Sequence, residues 1–251
     1  MSKKHSLVIG GSKGIGKSLV QLLASEGRTI SVISREIPKN KVSGDVSYYS
    51  ADLLNETELL KTLDQILKKH GKVDELAFFQ RYRGKGNDWS GEIETSLSGT
   101  KFVIDHLALH FSREASIVLV SSVNSFLISG HLPLGYHVAK AGLVQIGRYY
   151  ASKLGPKGIR VNSISPGTIL KEESKDFLTN DPSLKTFYQN AAPLGRMGTP
   201  NEVAEVAAFL LGPKSSFITG QNIAVDGGIS IQWQESISAK LNGSRARGSK
   251  N

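Results

Sequence analysis

The sequence predicts a single α/β domain with a doubly wound parallel sheet, and three observations carry that expectation. Short β-like runs alternate with longer helical patterns along the chain. Some of the runs are apolar throughout, as strands covered on both faces must be. A glycine-rich turn joins the first run to the first helical pattern. Together these mark a parallel sheet with helices on both sides, the Rossmann-type arrangement.

The elements follow in order. Ser6-Leu7-Val8-Ile9 is the first strand, and a helix pattern runs from Gly14 to about Glu26. Thr29 to Ile33 and Val46 to Tyr49 are the second and third strands. From Glu56 to Lys69, Leu59, Leu60, Leu63, Ile66 and Leu67 fall at helical spacing, and Gly71 can end that helix. Glu75 to Phe79 is a fourth strand, and a helix is expected from about Glu92 to Phe111. Ile117-Val118-Leu119-Val120 is the fifth strand. A helix from Tyr136 to Leu154, a strand from Ile159 to Ile164, a helix from Glu202 to Leu211 and a strand from Asn222 to Val225 complete the pattern.

The chain has 251 residues and is 39% hydrophobic, enough for one domain with a sizeable core. No repeat or linker divides it. Residues 6–236 read as the domain, 1–5 as a flexible lead, and 237–251 as a basic, disordered tail. Cysteine is absent, which excludes disulfides, thiolate metal sites and a Cys nucleophile. Nothing approaches the roughly 20 apolar residues of a membrane span. The apolar run after His5 is too short for a secretory signal, so a cytoplasmic protein is expected. The histidines show no metal-ligand spacing, and no metal is expected. The formal charge of +9 raises the question of nucleic acid. Six of those nine charges belong to Lys3, Lys4, Lys240, Arg245, Arg247 and Lys250 near the termini. The body is close to balanced, so no nucleic-acid partner is expected.

Chemistry concentrates at the ends of the strands. The first strand runs into Gly10-Gly11-Ser12-Lys13-Gly14-Ile15-Gly16, a GxxxGxG turn opening a helix. Such a turn lets helix N–H groups approach a pyrophosphate. An acid at the end of the second strand would hold the ribose 2′-OH of NAD. Here that end reads Ile33-Ser34-Arg35. Lys13 and Arg35 can instead face a 2′-phosphate, so NADP(H) is the expected cofactor. Tyr136 and Lys140 stand four apart on one helix face. A phenol with its usual pKa of about 10 is a poor acid at neutral pH, and an adjacent ammonium lowers that value. Such a Tyr can give a proton to a carbonyl oxygen as hydride arrives at carbon. Ser121-Ser122 ends the fifth strand at the same sheet edge, and Ser122 is the better candidate to hold the substrate oxygen.

With these residues in place, the chain resembles the short-chain dehydrogenase/reductase family from Leu7 to about Gly228, and is similar to its 3-oxoacyl-acyl-carrier-protein-reductase-like members. The resemblance rests on the glycine turn, Ala51-Asp52-Leu53, Trp89, the Ser122/Tyr136/Lys140 set, Arg160 to Gly167, Pro193-Leu194-Gly195-Arg196 and Ala224 to Gly228. It implies that Asp52 contacts the adenine and that Lys140 also holds the nicotinamide ribose. Pro166 and Gly167 would flank the nicotinamide. It also implies a substrate lid after Gly167, where Phe177, Leu178, Phe187 and Tyr188 fall. A homodimer or homotetramer would pair through the helices at 92–111 and 136–154.

Departures are equally specific. The family's Asn-Asn-Ala-Gly after the fourth strand is Phe78-Phe79-Gln80-Arg81 here, and its catalytic Asn is Ser96. A common Thr is Lys171, and the gap from Ser122 to Tyr136 is one residue longer than usual. Arg81, Arg83 and Lys85 bring three cations to the edge where substrate and nicotinamide meet, which suits an anionic substrate. The leading expectation is an NADPH-dependent enzyme acting on a small carbonyl or alcohol substrate. The rival is a cofactor-binding protein with little catalysis, suggested by Ser96 and the 78–81 replacement.

Overall fold

The computed structural model describes residues 3–84, 86–170 and 182–241. The expectations for Lys85, Lys171, Phe177 and Leu178, and for the tail from 242 onward, lie outside the described residues. Seven strands form one parallel sheet: β1 His5–Ile9, β2 Thr29–Ser34, β3 Val46–Ser50, β4 Val73–Phe78, β5 Phe111–Val120, β6 Arg160–Pro166 and β7 Asn222–Val225. Their order is β3-β2-β1-β4-β5-β6-β7. The chain therefore builds outward from β1 in one direction, then returns to build outward from β4 in the other.

Side-chain alternation along the central strands supplies both faces. Leu7 and Ile9 of β1, Leu76 and Phe78 of β4, and Ile117 and Leu119 of β5 enter one apolar cluster. Their neighbours Val8, Ala77 and Val118 enter the other. This two-residue period makes the C-terminal run of each strand apolar on both faces: Leu7–Ile9, Leu76–Phe78 and Ile117–Val120. The helices α1 Gly14–Ser25 and Pro200–Leu211 cover the second cluster. The first is covered by α2 Glu56–His70, α4 Gly99–Leu107 and α5 Leu134–Leu154.

Several boundaries differ from the sequence expectation. The helix expected at 92–111 is three pieces: α3 Asp88–Glu92, a π-helical turn Ile93–Ser98, and α4. Phe111 opens β5 instead of closing a helix. The polar residues Ser112, Arg113 and Glu114 hide that extension, because a register shift against β4 lets them lie outside the regular pairing. His5, read as part of the N-terminal lead, is the buried first residue of β1, and its N–H donates to Asp74 Oδ2 at 2.7 Å. Two helices were not anticipated. Pro182–Ala191 carries Phe187 and Tyr188, and Gln234–Leu241 crosses the expected domain end at 236. No described helix is long and apolar enough to cross a membrane.

Candidate active site

The C-terminal ends of β1, β4, β5 and β6 open onto one cleft of about 650 Å³. It lies where the strand order reverses, between β1 and β4, the crevice in which open α/β sheets hold ligands. Its lining includes Gly10, Ser12, Lys13, Gly14, Ile15 and Gly16 of the turn, Ser34 and Arg35 past β2, and Asp52 past β3. Ser122, Tyr136, Lys140, Pro166 and Gly167 line it as well. Of the expected site residues, Ser96 alone does not.

Close contact shapes the glycine turn. Gly10 has φ +79°, and a Cβ on Gly16 would lie 2.3 Å from the Gly10 carbonyl oxygen. α1 begins after Lys13 with no side-chain cap and no acid in its first turn. Its leading N–H groups are thus left for an anion in the cleft. At this outer end Lys13 and Arg35 are exposed, and neither makes a salt bridge among the described residues. Glu36 also lines this end, one residue beyond Arg35. Ser34 Oγ donates to the Glu36 carbonyl oxygen at 2.8 Å. Asp52 Oδ1 accepts from the Leu54 N–H at 3.1 Å.

At the inner end, Tyr136 and Lys140 are both buried on α5. Lys140 Nζ donates to the Val120 carbonyl oxygen at 3.0 Å, and Ser121 Oγ donates to the Lys140 carbonyl oxygen at 2.7 Å. Ser121 is thereby committed to tying α5 to the end of β5. Ser122 Oγ accepts from the Asn124 N–H at 3.2 Å and from Asn124 Nδ2 at 3.4 Å. Its own O–H has no acceptor among the described residues, so it can donate into the cleft. The Lys140 ammonium lies 5.6 Å from the centre of the Tyr136 ring, and the Arg81 guanidinium carbon lies 4.9 Å from it.

Ser96 sits elsewhere. It is fully buried in the π-helical turn, where Oγ donates to Glu92 Oε2 at 3.5 Å. Thr95 lines the cleft in its place. A π turn holds more residues than an α turn, so it rotates the following side chains off the face an α-helical count assigns. His137, next to Tyr136 on α5, is buried. Its Nε2 accepts from the Ser129 N–H, and Nδ1 is bonded to the Pro133 carbonyl oxygen, each at 3.0 Å.

Two residues escaped the sequence reading. Glu92 is 3% exposed. Burial raises its carboxyl above the ordinary carboxylate range, offset in part by Lys140, Arg81 and the Ser96 hydrogen bond. A lone Glu in a helical pattern reads as a solvated face, so only packing reveals it. Gln80 lines the cleft, and its Nε2 donates to Thr100 Oγ1 at 2.8 Å. Its Oε1 is buried and has no hydrogen-bond partner among the described residues. An orphaned acceptor in the wall and a helix start without a cap both suit a bound dinucleotide.

This fold, with a glycine turn at one end of its cleft and a Ser/Tyr/Lys set at the other, defines a Rossmann-type oxidoreductase domain. The family model described as enoyl-(acyl carrier protein) reductase matches residues 10–230. The 3-oxoacyl-(acyl-carrier-protein) reductase of Chlamydia pneumoniae is 31% identical, over 90% of this chain and 96% of its own. A short chain dehydrogenase family protein from Francisella tularensis superposes with a TM-score of 0.82 at 27% identity, covering 92% of this chain and 100% of its own. The NADP-bound structure of ElxO superposes at 0.81 with 25% identity and the same coverages. The chain belongs to the short-chain dehydrogenase/reductase family. Members of this family bind nicotinamide cofactors and transfer hydride between carbonyl and alcohol compounds.

Proposed function

We propose that this protein is an NADP(H)-dependent carbonyl reductase or alcohol dehydrogenase in which Tyr136 is the general acid/base. The observation that carries the reading is the convergence of Tyr136, Lys140 and Ser122 at the inner end of the cleft, beside the ends of β5 and β6. The turn at 10–16 and the start of α1 would hold the pyrophosphate. Lys13 and Arg35 would hold the 2′-phosphate, Asp52 the adenine, and Lys140 with Pro166 and Gly167 the nicotinamide riboside. When bound, the cofactor supplies or accepts the hydride.

In the reductive direction Ser122 donates a hydrogen bond to the carbonyl oxygen and fixes its position. As the carbon is reduced, the π electron pair of the carbonyl moves onto oxygen, and Tyr136 gives that oxygen its proton. The Lys140 ammonium stabilises the phenolate left behind. Solvent then reprotonates Tyr136. The side chain of Ser96, turned away from the cleft toward Glu92, takes no part in this scheme. The same reading includes a homodimer or homotetramer paired through α4 and α5, where Tyr149 is left exposed.

Turnover of NADPH with a panel of small carbonyl compounds tests the reading. Tyr136→Phe should lower kcat by about 10²- to 10⁴-fold, the usual contribution of a general acid. NADPH binding, followed by fluorescence, should persist in the variant. Full activity in Tyr136→Phe would remove the proposed acid/base.

A further inference from the structure

The segment leaving β4 brings two guanidinium groups into the cleft and gives neither an acid to pair with. Arg81, Tyr82 and Arg83 line the cleft. Among the described residues, neither arginine side chain makes a hydrogen bond or a salt bridge. In the family pattern the corresponding strand end carries small residues. Here it carries a cation aimed at the reacting end.

The neighbours of Arg81 hold it in place. On one side Gln80 is tied to Thr100. On the other, the Tyr82 ring lies against Gly91 of α3, so closely that a Cβ there would come within 2.3 Å of it. The strand end, its following loop and α3 therefore fit one another as a set. From this base the guanidinium of Arg81 stands over the ring of Tyr136, 4.9 Å from its centre.

The local charges do not cancel. Lys140 and Arg81 both act on the buried carboxyl of Glu92, and so does Asp88. Three cations, Lys140, Arg81 and Arg83, stand against these two acids. A guanidinium presents a planar fork that matches a carboxylate or a phosphate with two parallel hydrogen bonds. The cofactor's own phosphates have separate candidates at the turn, Lys13 and Arg35, at the other end of the cleft.

Resting on the carbonyl-reductase reading above, we infer that Arg81 and Arg83 form an anion subsite, and that the substrate is a small carbonyl or alcohol compound carrying its own carboxylate or phosphate close to the reacting carbon. The ring of Tyr136 sets the scale. An anion held over it lies within a short molecule's length of the phenol oxygen, so a compact substrate spans both.

Two matched pairs of compounds test this. Acetoacetate against methyl acetoacetate reads a carboxylate, and dihydroxyacetone phosphate against dihydroxyacetone reads a phosphate. With NADPH, kcat/KM for the charged member of at least one pair should exceed that of the neutral member by about tenfold or more. Arg81→Gln and Arg83→Gln should each lower that ratio by about tenfold. Arg81→Lys should keep part of it, since charge remains but the planar fork is lost. Calorimetric titration of the charged compounds into the NADP⁺-loaded protein reads the subsite without turnover, and thermal melts confirm that the variants fold. No preference for charge in either pair, by turnover or by binding, overturns the proposal. So does a preference that both Gln variants leave intact, or an Arg81→Gln that weakens NADPH more than tenfold while sparing the ratio. If nothing is reduced but charged-compound binding is lost in Arg81→Gln, the subsite stands and the reductase reading falls. If both members of each pair are reduced equally through Tyr136, the reductase stands and the subsite falls.

Discussion

If Lys13 and Arg35 hold the 2′-phosphate as proposed, replacing both by Ala should leave a cleft that no longer distinguishes NADPH from NADH. Both cations line the outer end of the cleft, and neither has a salt-bridge partner among the described residues. Removing them therefore orphans no buried acid. Charge-assisted hydrogen bonds contribute about 1.5–3 kcal/mol each, and exposure to solvent favours the lower end. Two contacts at about 1.5 kcal/mol sum to about 3 kcal/mol, or about a 100-fold weaker Kd for NADPH. NADH lacks the phosphate and should move by less than about threefold. Fluorescence titration of both cofactors at two salt concentrations measures this, and added salt should narrow the wild-type difference through screening. An equal loss for both cofactors, or none for either, refutes the assignment. A gain for NADH would point to Glu36, which stands beside Arg35, as the group that receives a free ribose hydroxyl.

Gly16→Ala places a methyl group 2.3 Å from the Gly10 carbonyl oxygen, a backbone atom that cannot yield cheaply. We expect a loss of about 2–3 kcal/mol in urea unfolding, with dinucleotide binding weakened at least tenfold, and wild-type values for both would contradict the contact. Thr199 and Glu202 form a capping box at the start of Pro200–Leu211. Thr199→Ala should cost about 1 kcal/mol by the same assay. Hydrogen bonds from Arg196 and from the Thr199 N–H hold Glu202 down to about 2, below its ordinary 4.5. Its folded value is depressed, so Glu202 stabilises the fold above about pH 4.5, and that contribution is lost as pH falls toward 2. The stability gap between wild type and Glu202→Gln should therefore shrink from pH 7 to pH 3, and a constant gap would contradict the sign.

Period and punctuation made most of the fold readable. The central strands were legible because buried parallel strands are short and apolar, and the edge strands β3 and β7 because they fall between helical patterns and turns. The piece of β5 from Phe111 was not, since Ser112-Arg113-Glu114 imitates a turn. The outer cleft was legible because its glycines are fixed by backbone contact, a constraint written directly in residue type. The inner cleft was legible only in part. Tyr136, Lys140 and Ser122 line it as their spacing suggested, whereas Ser96 does not. Its π turn arises from packing and carries no residue signature. Glu92 and the posture of Arg81 depend on how α3 seats against α5 and Tyr82, which no local pattern encodes.

The paired hydrogen bonds between the end of β5 and Lys140 join the two halves of the chemistry directly, across the loop that connects them in sequence. Ser122 and Tyr136 are brought together by that direct tie, and the connecting stretch adds anchors of its own, Asn124 on Ser122 Oγ and Ser129 on His137. Between those anchors Phe126 and Ile128 are turned to solvent, and they form the portion of the rim that can be exchanged while the reacting groups keep their register. Loop grafting for altered substrate range belongs there.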